Sequence, residues 1–335
     1  MTIKDLFSQV RHTLLPTINQ IGELRNFETL KIDILAGVTV ALVLVPQSMA
    51  YAQLAGLPAY YGLYASFLPP MVAAIFGSSR QLSTGPVAVV SLMTAASLEP
   101  IAALGSDGFL AYATMLAVMV GVFQLTLGVF RLGVLVDFLS HPVVLGFTAA
   151  GAIIIGTSQL GKLFGITVEK SAHHYETVYH MIQEALTNTH WPTLIISVLS
   201  FVLMVGLKKW RPTLPVVLIA VVIATIISKI MGYADYGGAI VGDIPKGLPH
   251  ISIPEFDFEI VMQLATSAVF ISLVGFMEAI SIAKAMAART RNRLDANQEL
   301  VGQGLSNITS GLFSGYPVSG SFSRSAVNIN ACLLY

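Results

Sequence analysis

Apolar runs of bilayer length recur along this chain, separated by short polar stretches. A helix needs about 20 mainly apolar residues to cross the hydrocarbon core. Such runs fall at 33–52, 59–77, 86–99, 109–130, 140–160, 192–207, 213–231, 260–287 and 298–314, and a tenth begins near 320. The pattern predicts an all-α polytopic membrane protein. Proline interrupts the first run at Pro46 and the second at Pro69-Pro70. The third is short and opens on Gly85-Pro86, which places Pro86 at a first helical position, where its missing N–H has no cost. The longer stretches 161–191 and 232–259 read as loops, with Ile251-Ser252-Ile253 alternating like a short strand. Residues 1–32 read as a cytoplasmic N-terminal segment without a cleavable signal, the first span acting as its own insertion signal.

Charge sets the orientation. With the N-terminus inside and the spans alternating, twelve of the 18 Lys and Arg residues lie inside and four outside, with Lys284 and Arg324 within spans. Cytoplasmic loops carry the excess of Lys and Arg, so a cytoplasmic N-terminus is expected, and the lack of a transit peptide favours a cell (plasma or inner) membrane. Composition agrees: 55% of residues are hydrophobic and 11% charged, against about 25% charged in soluble domains. The net charge of zero gives no case for nucleic-acid binding. One cysteine, Cys332, excludes an internal disulfide framework, and His173-His174 lacks the Cys or acidic neighbours that complete a metal site. No phosphate-binding loop and no nucleophile–base arrangement is present, so neither an enzyme nor a cofactor is expected.

Two polar stretches stand out against the apolar background. Ser319-Gly320-Ser321-Phe322-Ser323-Arg324-Ser325 lies where a span should begin, and Ser83-Thr84-Gly85-Pro86-Val87-Ala88 has the same character. Both read as broken helices whose N-termini face each other. A helix N-terminus carries an effective charge of roughly +0.5, so two of them plus Arg324 suit a small oxyanion. The hydroxyls of Thr84, Ser321, Ser323 and Ser325 can donate without fixing a charge. The plain alternative is that such starts only kink or cap helices.

Arg324 lies at membrane depth, where ionisable groups usually face a cavity or a partner. Glu278 is the one carboxylate in the middle of a span. Burial and a nearby Arg324 pull its protonation in opposite directions, a balance that lets a carboxyl bind and release a proton. The alternative is a structural acid paired with Lys284 or Arg324. Gln47 and Tyr51 stand one turn apart and share a helix face. Gln47 precedes Gly85 by 38 residues, and Glu278 precedes Gly320 by 42. That correspondence is the mark of an inverted repeat, in which the site lies where broken helices of the two halves meet. His141-Pro142, after Asp137, reads as a cap or gate hinge. Asn307-Ile308-Thr309 matches a glycosylation sequon by chance, inside the ninth span, and the basic run Arg289–Arg293 reads as an inside anchor.

The segments Asp33–Gly37, Pro46–Tyr51, Leu57-Pro58, Gly62–Tyr64, Gly77–Arg80, Thr84–Pro86, Gly275–Glu278 through Ala283-Lys284, and Pro317–Ser325 closely resemble the SulP family of sulfate permeases and related inorganic anion transporters. The resemblance spans nearly the whole chain. It implies a UraA-like fold of fourteen spans in two inverted seven-span repeats, with broken third and tenth helices. It divides the chain into core-domain spans (33–130 and 260–335) and gate-domain spans (140–231). It implies an anion held by Gln47, Tyr51, Val87, Ser321, Ser323 and Arg324, beside Thr84, Gly85, Gly320 and Phe322, with Glu278 where proton-coupled members carry an acid.

The resemblance further implies elevator-like secondary transport of an inorganic anion, sulfate first, with proton coupling, a homodimer and a lipid bilayer as setting. Sodium-coupled bicarbonate transport is the alternative, and nucleobase transport suits Arg324 less well. Members run on through four more spans and a STAS domain. This chain stops at Asn330–Tyr335, partway through the tenth span. The expectation is a C-terminally truncated piece with an incomplete second repeat, and a non-transporting fragment is a further alternative.

Overall fold

The computed structural model describes residues 26–134, 146, 149–150, 152–154, 156–157, 159–168, 171, 173–211, 216–242, 244–254 and 257–333. Most of the expected fifth span, the His141-Pro142 hinge, Asp137 and residues 1–25 lie outside these. The chain divides into one unit formed by 1–140 and 245–335 and a second formed by 141–244.

The first unit opens with α1 (Phe27–Leu54), capped where the Asn26 side chain accepts from Glu28 N–H at 3.1 Å. Helix α1 runs through Pro46 without a break, against the expected interruption. A proline removes one ladder hydrogen bond but does not have to end a long membrane helix, where neighbouring groups compensate. The second apolar run forms two pieces, α2 (Ala59–Tyr64) and α3 (Leu68–Phe76), and Pro69-Pro70 occupies the first turn of α3. Strand β1 (Ser83–Gly85) leads to α4 (Ala88–Leu98), and α5 spans Asp107–Val129. Val87, in extended backbone, is the N-cap of α4, so Pro86 stands outside the helix rather than at its first position.

Helix α10 (Phe258–Thr290) is the longest among the described residues, with 33 residues. It starts on an Asp257 cap and ends at Arg291 in the left-handed region. Helix α11 (Ala296–Leu312), strand β2 (Ser319–Ser321) and α12 (Phe322–Leu333) complete the unit. Ile251–Ile253 forms no strand; Ser252 N–H donates instead to Leu312 C=O at 2.8 Å. A three-residue alternation gains nothing without a partner edge.

Helices α5 and α11 meet through glycine. A Cβ on Gly121 would stand 2.6 Å from Gly304 O, and one on Gly311 would stand 2.5 Å from Thr114 O. Small residues let membrane helices approach at backbone distance, where packing rather than water expulsion holds them. Around this seam Val90, Leu98, Phe109, Met115, Leu116, Leu264, Ile271 and Tyr316 form the apolar core.

The two strands depart from the all-α expectation. They pair antiparallel, with Ser83 opposite Ser321, Thr84 opposite Gly320 and Gly85 opposite Ser319. Strand β2 runs directly into α12, and two residues separate β1 from α4.

The second unit contains α6 (Leu160–Phe164), α7 (His174–Asn188), α8 (Trp191–Trp210) and α9 (Val216–Ile230). Helices α6 and α7 fall in the stretch expected to be loop. Tyr175, Tyr179, Ile182 and Leu186 recur at helical spacing on one exposed stripe of α7, a period that a count of apolar residues overlooks. At the start of α8, His190 bonds Thr193 Oγ1 at 2.6 Å and the Tyr236 carbonyl at 2.8 Å. Among the described residues five segments are long and apolar enough to cross a membrane: Phe27–Leu54, Ala59–Phe76, Asp107–Val129, Trp191–Trp210 and Phe258–Thr290.

Candidate functional site

The strand pair is the centre of the site, and its position follows from two glycines. Gly85 has φ +151°, a conformation that side chains rarely adopt. A Cβ on Gly320 would meet Ala279 Cα of α10 at 3.0 Å. The bridge therefore lies directly against α10, one residue from Glu278. Ser319 Oγ donates to Gly275 C=O at 2.6 Å and fixes the same contact.

Arg324, in the first turn of α12, is fully buried. Its Nη1 donates to Pro86 C=O at 2.8 Å and to Gln47 Oε1 at 3.3 Å, and its Nε donates to Ser83 Oγ at 3.4 Å. One guanidinium thus links α12, the residues before α4, and α1. Its Nη2 is buried without a hydrogen-bond partner, as is Glu278 Oε2. Gly85 lies beside Nη2, where a Cβ would stand 3.2 Å away. A buried donor on a permanent cation is costly to leave unpaired.

Around the guanidinium, Gln47 Nε2 donates to Tyr51 Oη at 3.0 Å and to Ser323 Oγ at 3.3 Å. The hydroxyls of Ser321 and Ser323 are 3.3 Å apart, and Ser83 N–H donates to Ser325 Oγ at 2.9 Å. The structure thus gathers Gln47, Tyr51, Ser321, Ser323 and Arg324 into one hydrogen-bonded cluster. Ser323 and Phe322 are exposed, Gln47 and Tyr51 half-buried, and Arg324 lies at the bottom. Val87 is buried at the start of α4.

Thr84 goes elsewhere. Its hydroxyl, expected to face an anion, accepts from Gln303 Nε2 at 2.8 Å, and the residue is buried. In a strand, neighbours point to opposite faces, and Thr84 takes the face toward α11. Sequence patterning alone also overlooks Glu299, a buried carboxylate in the first turn of α11. Its Oε2 accepts from the backbone N–H groups of Ser78 and Ser79 at 2.9 and 3.0 Å. The spacing Glu299, Gln303, Asn307 along one face of an otherwise apolar span was the available signal. Asn307 is fully buried, with its amide bonded to Gln124 and Val318, so the sequon there is not a surface acceptor. Among the described residues no cluster of His, Cys, Asp and Glu could hold a metal ion.

Residues 30–332 match the sulfate permease family. The chain is 43% identical over 326 residues to sulfate transporter 4.1, chloroplastic, of Arabidopsis thaliana, covering 94% of this chain and 47% of the relative. It is 34% identical over 339 residues to the sodium-independent sulfate anion transporter of Bos taurus, covering 89% of this chain and 54% of that one. The structure of SLC26A9 superposes with a TM-score of 0.89 over 99% of this chain and 55% of the other; at 24% identity this is a likeness of fold. The transmembrane domain of the cyanobacterial bicarbonate transporter BicA superposes at 0.79 with 27% identity, over 91% of this chain and 78% of that one. The chain spans about half the length of the curated relatives it matches. On this match, the chain belongs to the sulfate permease family, multi-pass membrane transporters rather than enzymes.

Proposed function

We propose that this chain forms the anion-binding part of a sulfate transporter, with the anion held at Arg324 between the starts of α4 and α12. The observation that carries the reading is the buried Arg324 Nη2, a charged donor without a partner beside the paired strands. Two helix N-termini and a guanidinium supply positive potential, while the Ser321, Ser323 and Gln47 side chains supply neutral hydrogen bonds that a tetrahedral oxyanion accepts. Thr84, Gly85, Val87, Gly320 and Phe322 shape the site rather than donate to the anion.

The whole protein moves the anion by secondary transport. The paired strands and α10 travel as one body in an elevator-like step, and the two halves are inverted repeats with broken third and tenth helices. Glu278 takes up and releases the coupling proton: protonation removes a negative charge beside the anion, so loading the proton favours loading the anion. The transporter works as a homodimer in a cell membrane, with its N-terminus in the cytoplasm. Core-domain spans are 33–130 and 260–335, and gate-domain spans are 140–231.

A second reading, bicarbonate transport coupled to sodium, draws on the likeness to BicA. The sodium-independent sulfate relative favours the first. The deciding experiment is uptake of ³⁵S-sulfate and of ¹⁴C-bicarbonate by liposomes holding the full-length transporter, with a proton or a sodium gradient imposed. Proton-stimulated sulfate uptake is the expected result. Sodium-driven bicarbonate uptake without sulfate uptake would reverse the assignment.

A further inference from the structure

Side chains of α11 hold both strands of the bridge. Gln303 Nε2 donates to Thr84 Oγ1, in the middle of β1, at 2.8 Å. One turn on, Asn307 binds Val318 at two points: its Oδ1 accepts from Val318 N–H at 2.8 Å, and its Nδ2 donates to Val318 C=O at 3.0 Å. Val318 immediately precedes β2. One turn back, Glu299 Oε1 accepts the second hydrogen of Gln303 Nε2 at 3.1 Å. The same carboxylate accepts from the Ser78 and Ser79 amides through Oε2. Glu299, Gln303 and Asn307 are at most 2% exposed.

A pair of three-residue strands containing two glycines cannot hold its own register, because short two-stranded pairs are marginal and glycine weakens them. A buried amide, by contrast, is strongly constrained: each unmet hydrogen bond there costs free energy that the surroundings cannot return. The spacing of one helical turn between Gln303 and Asn307 is rigid. It therefore sets where β1 stands against β2, and with them the starts of α4 and α12.

We infer that Gln303 and Asn307 are positioning residues for the anion site, acting through Thr84 and Val318, with Glu299 orienting the Gln303 amide. The inference rests on the anion reading given above. It makes α11, which carries no group of the Arg324 cluster, a support of the strands on which that cluster stands.

The test uses this chain in lipid nanodiscs, with two readouts. One is hydrogen exchange over peptides covering 83–87 and 319–323, which reports local opening; the other is equilibrium binding of ³⁵S-sulfate. Gln303→Leu is expected to raise exchange in both peptides and to weaken sulfate by roughly tenfold, with exchange in α5 unchanged. Thr84→Val, which removes only the acceptor, should reproduce both effects; Thr84→Ser, which keeps it, should keep the parent's exchange in both peptides. The double variant Gln303→Leu with Thr84→Val should be no worse than either single one, because both break the same bond. Unchanged exchange in the strand peptides would overturn the inference. So would a rise spread evenly through α5 and α11, which marks general loosening. If the parent chain binds no sulfate, the anion reading fails by itself, and the exchange results still decide whether α11 holds the strands.

Discussion

Arg324 Nη1 donates to the backbone carbonyl of Pro86 at 2.8 Å, across 238 residues of sequence. Pro86 stands between β1 and the N-cap of α4, so this bond ties the guanidinium of α12 to the start of α4. Gln47 Oε1 takes a second bond from the same nitrogen. Gln47→Leu removes that bond and the links to Tyr51 and Ser323. Loss of a hydrogen bond to a charged group is worth about 1.5–3 kcal/mol, so sulfate affinity should fall by roughly ten- to a hundredfold. Calorimetric titration of the folded variant checks it, and an affinity equal to the parent's counts against Gln47 as a site residue.

Gly85→Ala tests the close approach. The backbone there has φ +151°, and the new methyl would stand 3.2 Å from Arg324 Nη2. Strain of about 1–3 kcal/mol is expected for such a backbone, together with displacement of the buried guanidinium. The variant should bind sulfate at least about tenfold more weakly while keeping its helical circular dichroism. Full affinity would show that Nη2 is not where the anion sits.

Glu278→Gln keeps the size of the side chain and removes its proton chemistry. In the full-length transporter, sulfate uptake should rise as the outside pH falls in the parent and stay flat in the variant, while sulfate binding is retained. A variant that keeps the parent's pH profile makes Glu278 a structural acid.

The α5–α11 seam predicts a stability effect apart from the site. Gly121→Ala places a methyl 2.5 Å from Ile308 N and 2.6 Å from Gly304 O. Overpacking of this kind costs about 1–3 kcal/mol. The thermal midpoint in detergent should drop by several degrees, whereas Gly37→Ala, with no atom within 4 Å of the new methyl, should leave it unchanged.

Much of the helical order is legible from apolar run length, because bilayer thickness and helix rise fix it. The shared face of Gln47 and Tyr51 follows from helical spacing alone, and the two amide–phenol groups are bonded at 3.0 Å. The strand pair was not legible. Ser83–Gly85 and Ser319–Ser321 have no β-branched residues apart from Thr84, no alternation to bury, and a partner more than 200 residues away. Pro86 misled because Gly-Pro commonly opens a helix; here its carbonyl is used by Arg324 and the helix begins two residues later. Glu299 is an acid in the first turn of its helix, a common place for one, and its partners, the Ser78 and Ser79 amides, lie some 220 residues away in sequence.

The most direct measurement of the central claim is equilibrium binding of ³⁵S-sulfate to this chain in lipid nanodiscs, parent beside Arg324→Gln. Saturable binding by the parent, competed by unlabelled sulfate, is expected, with a loss of at least about a hundredfold in the variant, since removing the charged partner of a buried anion costs several kcal/mol. Equal binding by both proteins, or none by either, would contradict an anion site built on Arg324.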